Sequence, residues 1–232
     1  MENIIEIKNL SFKYNTTKAI FSDLNLTIKK GEITTLLGKN GCGKSTLIKL
    51  LSKNITNYTG NIFLENKELK SYSLKELATK LSIVYQNIFF YKQTKEDIEK
   101  INFALKETDL IDYKNTIVSE LSGGQLQRVY IAMCLAQDTE IIILDEPTTF
   151  LDIKYQKSIM QLVRNLNKSL GITIIMVLHD INQALAYSDN IIALLNGKVI
   201  KNDQATNFFD ENLLNKLYDA DIKIEDGKVI SW

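Results

Sequence analysis

The sequence carries no excess of charge of either sign: Lys plus Arg and Asp plus Glu number 28 each. Without a basic footprint there is no electrostatic drive toward a phosphate backbone, and DNA or RNA is not expected as a partner. Cysteine is nearly absent, with only Cys42 and Cys134, far apart and outside any CxxC spacing. That excludes a disulfide framework and a cysteine-based zinc site, and it suits a reducing cytoplasm. Long hydrophobic runs are missing as well; apolar runs such as residues 141–144 fall far short of the ~20 residues that cross a bilayer. The opening MENIIEIKNL has no basic region followed by a long apolar stretch, so no targeting segment is expected and a role at a membrane would be peripheral. Arginine is confined to Arg128 and Arg164 while Asn, Ile and Lys abound, a compositional bias without mechanistic content. No internal repeat, low-complexity tract, flexible linker or heptad run interrupts the chain, and nothing is left over for a second large domain.

What is present is a chain of 232 residues, 45% hydrophobic, long enough to hold a core without staples. Short strands are predicted at residues 4–7, 24–28, 33–37 and 61–64. A helix with Leu47, Ile48, Leu50 and Leu51 follows the third of them, and a short helix near 74–80 leads to a buried strand at 83–85. Thr94 and Asp97 match a capping-box start for a polar arm whose apolar stripe is Ile98, Ile101 and Leu105. Leu126, Val129, Tyr130, Met133 and Cys134 keep the spacing of an amphipathic helix that feeds a strand at 141–144. A second long helix runs from Tyr155 to a stop at Gly171, and the continuous apolar run 172–178 is that of a strand buried on both faces. A strand at 191–195, a turn at Asn196-Gly197, a helix near 211–218 and a last strand near 228–231 complete the chain. Strands alternating with helices predict an α/β fold with parallel strands.

Three words carry chemistry. Gly38, Lys39, Asn40, Gly41, Cys42, Gly43, Lys44, Ser45 and Thr46 fit the P-loop between a predicted strand and a predicted helix. Its glycines let successive N–H groups face phosphates at a helix start; Lys44 reaches the β and γ phosphates, Ser45 offers a hydroxyl to Mg²⁺, and Cys42 contributes mainly its backbone. The apolar strand 141–144 ends in Asp145 and Glu146, where a parallel sheet presents its ligand-binding edge. Asp145 is suited to holding Mg²⁺ and Glu146 to polarising a water, a general-base role worth about 10² to 10⁴ in rate. Pro147, the sole proline, fixes the turn behind them. The most specific word is Leu121-Ser122-Gly123-Gly124-Gln125, expected by chance in roughly one of several thousand chains of this length. It reads as a second anion-binding helix start, one that a lone P-loop leaves unexplained unless it serves a nucleotide held by another copy of the chain.

Together these words resemble the ATPase subunit of ABC transporters, a likeness that spans nearly the whole chain. The resemblance implies a P-loop NTPase core with a mostly parallel sheet, an antiparallel β subdomain and a short helical subdomain near 87–137, all within one ATPase domain over 1–232. It implies ATP and Mg²⁺, a head-to-tail homodimer in which Ser122 and Gly124, flanked by Gly123 and Gln125, meet the γ-phosphate in trans, and integral membrane permease subunits at the cytoplasmic face of the cell membrane. An extracellular or periplasmic substrate-binding protein is implied indirectly. By the same resemblance Tyr14 stacks on adenine, and such stacking is worth about 1 to 3 kcal/mol. Gln86 contacts Mg²⁺ and links the nucleotide to the membrane partner. Asp152 communicates across the dimer, although an N-cap for the next helix is an equally physical role. His179, the sole histidine, directly after the run 172–178, resembles the switch whose imidazole bonds the γ-phosphate.

Cargo is read from finer likeness. The run from Leu121 to Arg128, the segment Thr148-Thr149-Phe150-Leu151-Asp152-Ile153 and the segment from His179 to Ala184 resemble importers of iron-siderophore, haem and cobalamin. Leu121 follows Gln86 by 35 positions (121 − 86), shorter than expected for that group, and the trimmed residues belong to the helical subdomain. No long carboxyl-terminal extension points to an appended regulatory domain. ABC ATPases with other cargo or export direction, a soluble cassette ATPase acting on chromosomes or ribosomes, and a small P-loop kinase are the competing readings. The last two lack their long coiled coil or second cassette, or leave residues 121–125 and His179 without a job.

Overall fold

The computed structural model describes residues 2–15, 19–84, 95–208, 210–225 and 228–231. Its strands are β1 (Asn3–Phe12), β2 (Phe21–Lys29), β3 (Ile33–Leu37), β4 (Thr59–Leu64), β5 (Lys67–Glu68), β6 (Leu81–Val84), β7 (Ile141–Asp145), β8 (Thr173–Val177), β9 (Asn190–Leu195), β10 (Lys198–Gln204), β11 (Lys223–Glu225) and β12 (Lys228–Ser231). The helices are α1 (Lys44–Leu51), α2 (Leu74–Ala78), α3 (Lys95–Glu107), α4 (Gly123–Ala136), α5 (Ile153–Leu170), α6 (Ile181–Tyr187) and α7 (Glu211–Tyr218). The larger sheet has the order β10-β9-β3-β8-β7-β6, parallel from β9 to β6, with β10 antiparallel at one edge. A second, antiparallel sheet runs β2-β1-β4-β5, and β11 and β12 form a hairpin. The α/β expectation holds, with both the parallel and the antiparallel part.

The unbroken apolar strands feed two cores by alternation, since successive side chains of a strand point to opposite faces. Ile141, Ile143, Ile175 and Val177 join α1 and the antiparallel sheet in one core. Ile142, Leu144, Ile174 and Met176 join α4, α5 and α7 in the other. Helix α4 serves two neighbours: Ile131, Ala132, Cys134 and Leu135 are buried, while Leu126, Val129 and Met133 line an apolar groove of about 750 Å³ with Ile98, Ile101 and Leu105 of α3. The amphipathic spacing read from the sequence thus belongs mostly to this groove. Thr94, one half of the expected capping box at the start of α3, lies outside the described residues. A capping box does form at Ser73 and Glu76, ahead of α2.

Both arginines act as clamps. Arg128 on α4 donates to Thr108 O, Asp109 Oδ2 and Ser158 Oγ at 2.7–2.8 Å, tying α3, α4 and α5 together. Arg164 on α5 donates to Asp189 Oδ1 at 2.7 Å, and Asp189 Oδ2 accepts from Ile33 N at 2.8 Å, so α5 is fastened to the start of β3. On α6, Asn182 donates to Val229 O at 3.1 Å and accepts from Val229 N at 2.9 Å, which seats β12 beside it.

At the opposite sheet edge from the P-loop, Glu140 accepts from Lys30 at 2.7 Å and Lys80 at 3.0 Å, and Lys80 also reaches Glu65 at 2.9 Å. Hydrogen bonds from Lys30, then Lys80, hold the Glu140 carboxyl down to about 2. A depressed carboxyl contributes stability above its unfolded value and loses it as pH falls through the folded one. Glu140→Gln is therefore expected to lower the neutral-pH Tm by about 2–4 °C, a discounted figure for half-exposed pairs. It should also flatten the loss of Tm between roughly pH 4.5 and 2. Thermal unfolding across that window checks it, and equal pH slopes for both proteins would refute it.

Candidate functional site

Strand β3 stops at Leu37 because the chain must turn where only glycine fits. Gly38 has φ 148°, and a Cβ there would lie 2.2 Å from Leu194 O. Gly43, at the N-cap of α1 with φ 114°, would press a Cβ to 2.6 Å from the Phe21 ring. Lys44 is buried, 6% exposed, and its ammonium donates to Gly38 O at 2.6 Å and Lys39 O at 3.2 Å. The buried Cys42 side chain lies 4.0 Å from the same nitrogen. Lys39 pairs with Asp219 at 3.2 Å, just past α7, while Asn40, Gly41 and Ser45 are exposed. The turn folds its lysine inward against its own carbonyls and leaves its start-of-helix face to solvent.

Tyr14 Oη lies 3.3 Å from Thr46 Oγ1, and its ring stands edge-on to Phe12 at 4.9 Å. The 40%-exposed tyrosine borders a cleft of about 720 Å³ that Phe12, Ala19, Phe21 and Tyr58 also line. The expected adenine neighbour is therefore tied to the P-loop by its own hydroxyl, on the antiparallel-sheet side.

Across the sheet, β7 ends on Asp145, level with Val177 of β8, and Val177 is level with Leu36 of β3. Asp145 Oδ1 is buried without a hydrogen-bond partner among the described residues. Burial, then the charge of Glu146, raises the Asp145 carboxyl above its ordinary range, against the pull of Lys44 and His179. A partnerless carboxylate oxygen beside a solvent-facing helix start suits a hard divalent cation completed by phosphate oxygens and water. No group of three His, Cys, Asp or Glu side chains among the described residues forms a metal cage of its own.

Glu146 is held at both oxygens. His179 Nε2 is 2.7 Å from Oε1, and Thr149 donates from Oγ1 to Oε2 at 3.2 Å. Its backbone takes φ 54° and its N–H donates to Val177 O at 3.2 Å. A left-handed glutamate costs of order 1–3 kcal/mol, which the surrounding bonds hold in place. The imidazole expected at a phosphate thus rests against the carboxylate in this structure. Thr149 was legible only as part of a subfamily segment; its position three residues after Glu146 is the signal that places a hydroxyl back on the acid.

Residues 121–125 stand apart from these groups. Among the described residues no hydrogen bond or ion pair joins them to the P-loop. Ser122 is the N-cap of α4: its Oγ accepts from Gln125 N at 3.3 Å, and Gln125 Oε1 accepts from Ser122 N at 2.8 Å. The serine is therefore a reciprocal cap, leaving Gly123 and Gly124 as helix-start amides without acceptors inside the helix. Each glycine also has a packing reason. A Cβ on Gly124 would lie 2.6 Å from the Tyr155 ring and one on Gly123 3.3 Å from Leu151. Asp152 occupies the N-cap position of α5 but makes no side-chain cap bond, so the capping half of its expected role is not realised. Gln86 lies outside the described residues.

A sequence profile described as ABC transporter matches residues 21–149, more than half the chain. The chain belongs to the ABC transporter family. It is 40% identical to the petrobactin import ATP-binding protein YclP of Bacillus subtilis, covering 96% of this chain and 95% of that one. It is 38% identical to the iron(3+)-hydroxamate import ATP-binding protein FhuC of the same organism, over 96% and 90%. A solved dimeric ATP-binding cassette bound to ADP and Pi in a post-hydrolysis state superposes with a TM-score of 0.74 at 30% identity, over 88% of this chain and all of that one. As a family member this chain is an ATP-binding subunit, and among its described residues no helix is long and apolar enough to cross a membrane.

The orphaned, raised carboxyl of Asp145 yields a test. A carboxyl whose folded value is raised opposes folding at neutral pH. Asp145→Asn is expected to raise the nucleotide-free Tm by about 2 °C or more, while Mg²⁺-dependent stabilisation by ATP is lost. Thermal scans with and without Mg²⁺-ATP measure both, and a lower apo Tm would contradict the assignment.

Proposed function

We propose that this chain hydrolyses ATP to ADP and phosphate and couples that reaction to import of an iron-siderophore, haem or cobalamin. The observation that carries the hydrolytic reading is the Glu146 carboxylate, fixed at both oxygens by His179 and Thr149 one residue beyond Asp145. In that orientation it accepts a proton from the water attacking the γ-phosphate, and His179, which orients the acid, faces the same phosphate. Lys44 and the N–H groups of residues 38–46 bind the phosphates, and the cleft beside Tyr14 receives the base. Ser45 and Asp145, with Gln86, would hold Mg²⁺, which neutralises charge on the β and γ phosphates.

The separation of residues 121–125 from the P-loop supports a shared site. In the proposed homodimer Ser122, Gly123, Gly124 and Gln125 of one subunit close over the nucleotide of the other, with Asp152 beside the seam. The dimeric cassette to which the chain is similar supports that assembly. All of 1–232 forms one ATPase domain in this reading, with 87–137 as its helical arm. The apolar groove between α3 and α4 lies on that arm, which docks integral permease subunits at the cytoplasmic face of the membrane. A substrate-binding protein outside the cell delivers the cargo to those subunits. Similarity to an iron(3+)-hydroxamate import subunit supports the iron-chelate cargo.

Glu146→Gln is expected to retain Mg²⁺-ATP binding, lose about 10²- to 10⁴-fold in hydrolysis and accumulate an ATP-bound dimer. Phosphate release and sedimentation velocity read both, and wild-type turnover would remove Glu146 from its role. Ser122→Arg is expected to abolish hydrolysis while nucleotide binding by the monomer persists; equal loss of the two would refute the in-trans site. Cargo and permease are tested by purifying Glu146→Gln with its membrane partners. Copurification with ribosomes or DNA instead of a permease would favour the soluble class.

A further inference from the structure

The chain beyond β10 folds back onto the edge that carries the P-loop. Helix α7 and the β11–β12 hairpin form one unit there: Glu211 Oε1 accepts from Ile224 N at 2.7 Å, and Asn215 Oδ1 accepts from Ile222 N at 2.5 Å. Leu214, Ile222 and Val229 bury a small core with Ile181, the first residue of α6. With the two Asn182–Val229 bonds, that core fastens the unit to the helix that begins two residues after His179. The other end of the unit reaches the P-loop. Asp219, the C-cap of α7 with φ 55°, meets Lys39 at 3.2 Å. Tyr218, just before it, packs on this small core and on the core that holds α4, α5 and α7. Its Oη is buried and has no hydrogen-bond partner among the described residues.

A buried hydroxyl left without a partner destabilises a fold, so one that is kept calls for a state in which it is satisfied. The P-loop supplies that state. Its Gly38 and Lys39 carbonyls are now taken by the Lys44 ammonium, at 2.6 Å and 3.2 Å. Lys44 must leave both to reach a phosphate, and buried carbonyls then need another donor. Tyr218 stands at the right place and in the right form. Burial, then charge at Cys42, pushes its phenol above the ordinary range against the pull of the Gly38 amide, so the hydroxyl keeps its proton. We infer that Tyr218 is a positioning residue for the P-loop, its hydroxyl taking over at Gly38 when Lys44 turns to the nucleotide. This rests on the reading of Lys44 as a phosphate ligand and adds a residue that the phosphate never touches. The Lys39–Asp219 pair keeps the end of α7 against the turn, but with an 88%-exposed carboxylate it is screened, and the main weight falls on the tyrosine. Because the same unit sits on α6, it also ties the P-loop to the helix that follows His179.

The test uses the full chain and reads binding of a fluorescent ATP analogue with Mg²⁺ beside the nucleotide-free Tm. Tyr218→Phe deletes only the unpartnered hydroxyl. It is expected to weaken binding of the analogue about fivefold, the loss of one hydrogen bond made in the bound state. The nucleotide-free Tm should stay level or rise, a combination that a merely structural tyrosine would not give. Binding as tight as wild type in Tyr218→Phe overturns the assignment. A lower nucleotide-free Tm also overturns it, because the hydroxyl would then be bonded before any nucleotide arrives. Phosphate release by the wild-type chain separates this from the proposed function. A chain that binds the analogue and weakens with Tyr218→Phe, yet never turns ATP over, would sink the hydrolytic reading and leave Tyr218 in its role. If Lys44→Ala binds the analogue as tightly as wild type, Lys44 holds no phosphate and the role of Tyr218 falls with it.

Discussion

The parallel register of β3, β8 and β7 is the constraint on which the site depends. Leu36, Val177 and Asp145 form one row across three strands. Gly38 and His179 follow that row by two residues and Glu146 by one, so three turns from distant parts of the sequence emerge along one sheet edge. A slip of one residue in any strand would exchange its inward and outward faces, since alternate side chains supply the two cores. The geometry that aligns His179 with Glu146 is thus guarded by apolar packing some way beneath it. The chemistry sits on loops, but the loops inherit their accuracy from Ile141 to Leu144 and from the buried run of β8.

The chain tolerates discomfort just above that row. Asp145 has a buried oxygen without a partner, and Glu146 and Phe150 hold left-handed backbones within six residues of each other. On the far side of the sheet, by contrast, the charges of Lys30, Lys80, Glu65 and Glu140 are paired.

Much of this was legible in the sequence because the decisive turns have few chemical solutions. Gly38 and Gly43 stand where a Cβ would strike Leu194 or Phe21, and the acidic pair follows a strand whose four apolar residues admit no other face to water. Less legible was whatever depended on contacts between segments. β10, with only half-buried and exposed residues such as Asn202 and Asp203, lacks an apolar pattern and exists because β9 offers it an edge. The glycines of residues 121–125 read as an anion cradle, and their second role beneath Tyr155 and Leu151 could not be seen without α5 in place. Thr149 and Gln183 are ordinary polar residues until the fold sets them against Glu146 and Thr148. The stripe on α4 obeyed helical spacing, yet spacing cannot say which of two neighbours an apolar face meets.

The two arginines leave a last consequence. Each guanidinium is engaged in joining helices or fastening a strand, and among the described residues neither bonds to the phosphate-binding turn. The sequence holds no third. In the proposed symmetric pair, a guanidinium offered to charge building on a transferred phosphoryl group, the part an arginine finger plays in other nucleotide hydrolases, would have to give up these bonds. In the proposed shared site that charge would be met by Mg²⁺, by the Lys44 ammonium and by main-chain dipoles, some of them lent by the neighbour's glycines. What one subunit lends the other's site would then be backbone geometry rather than side-chain charge.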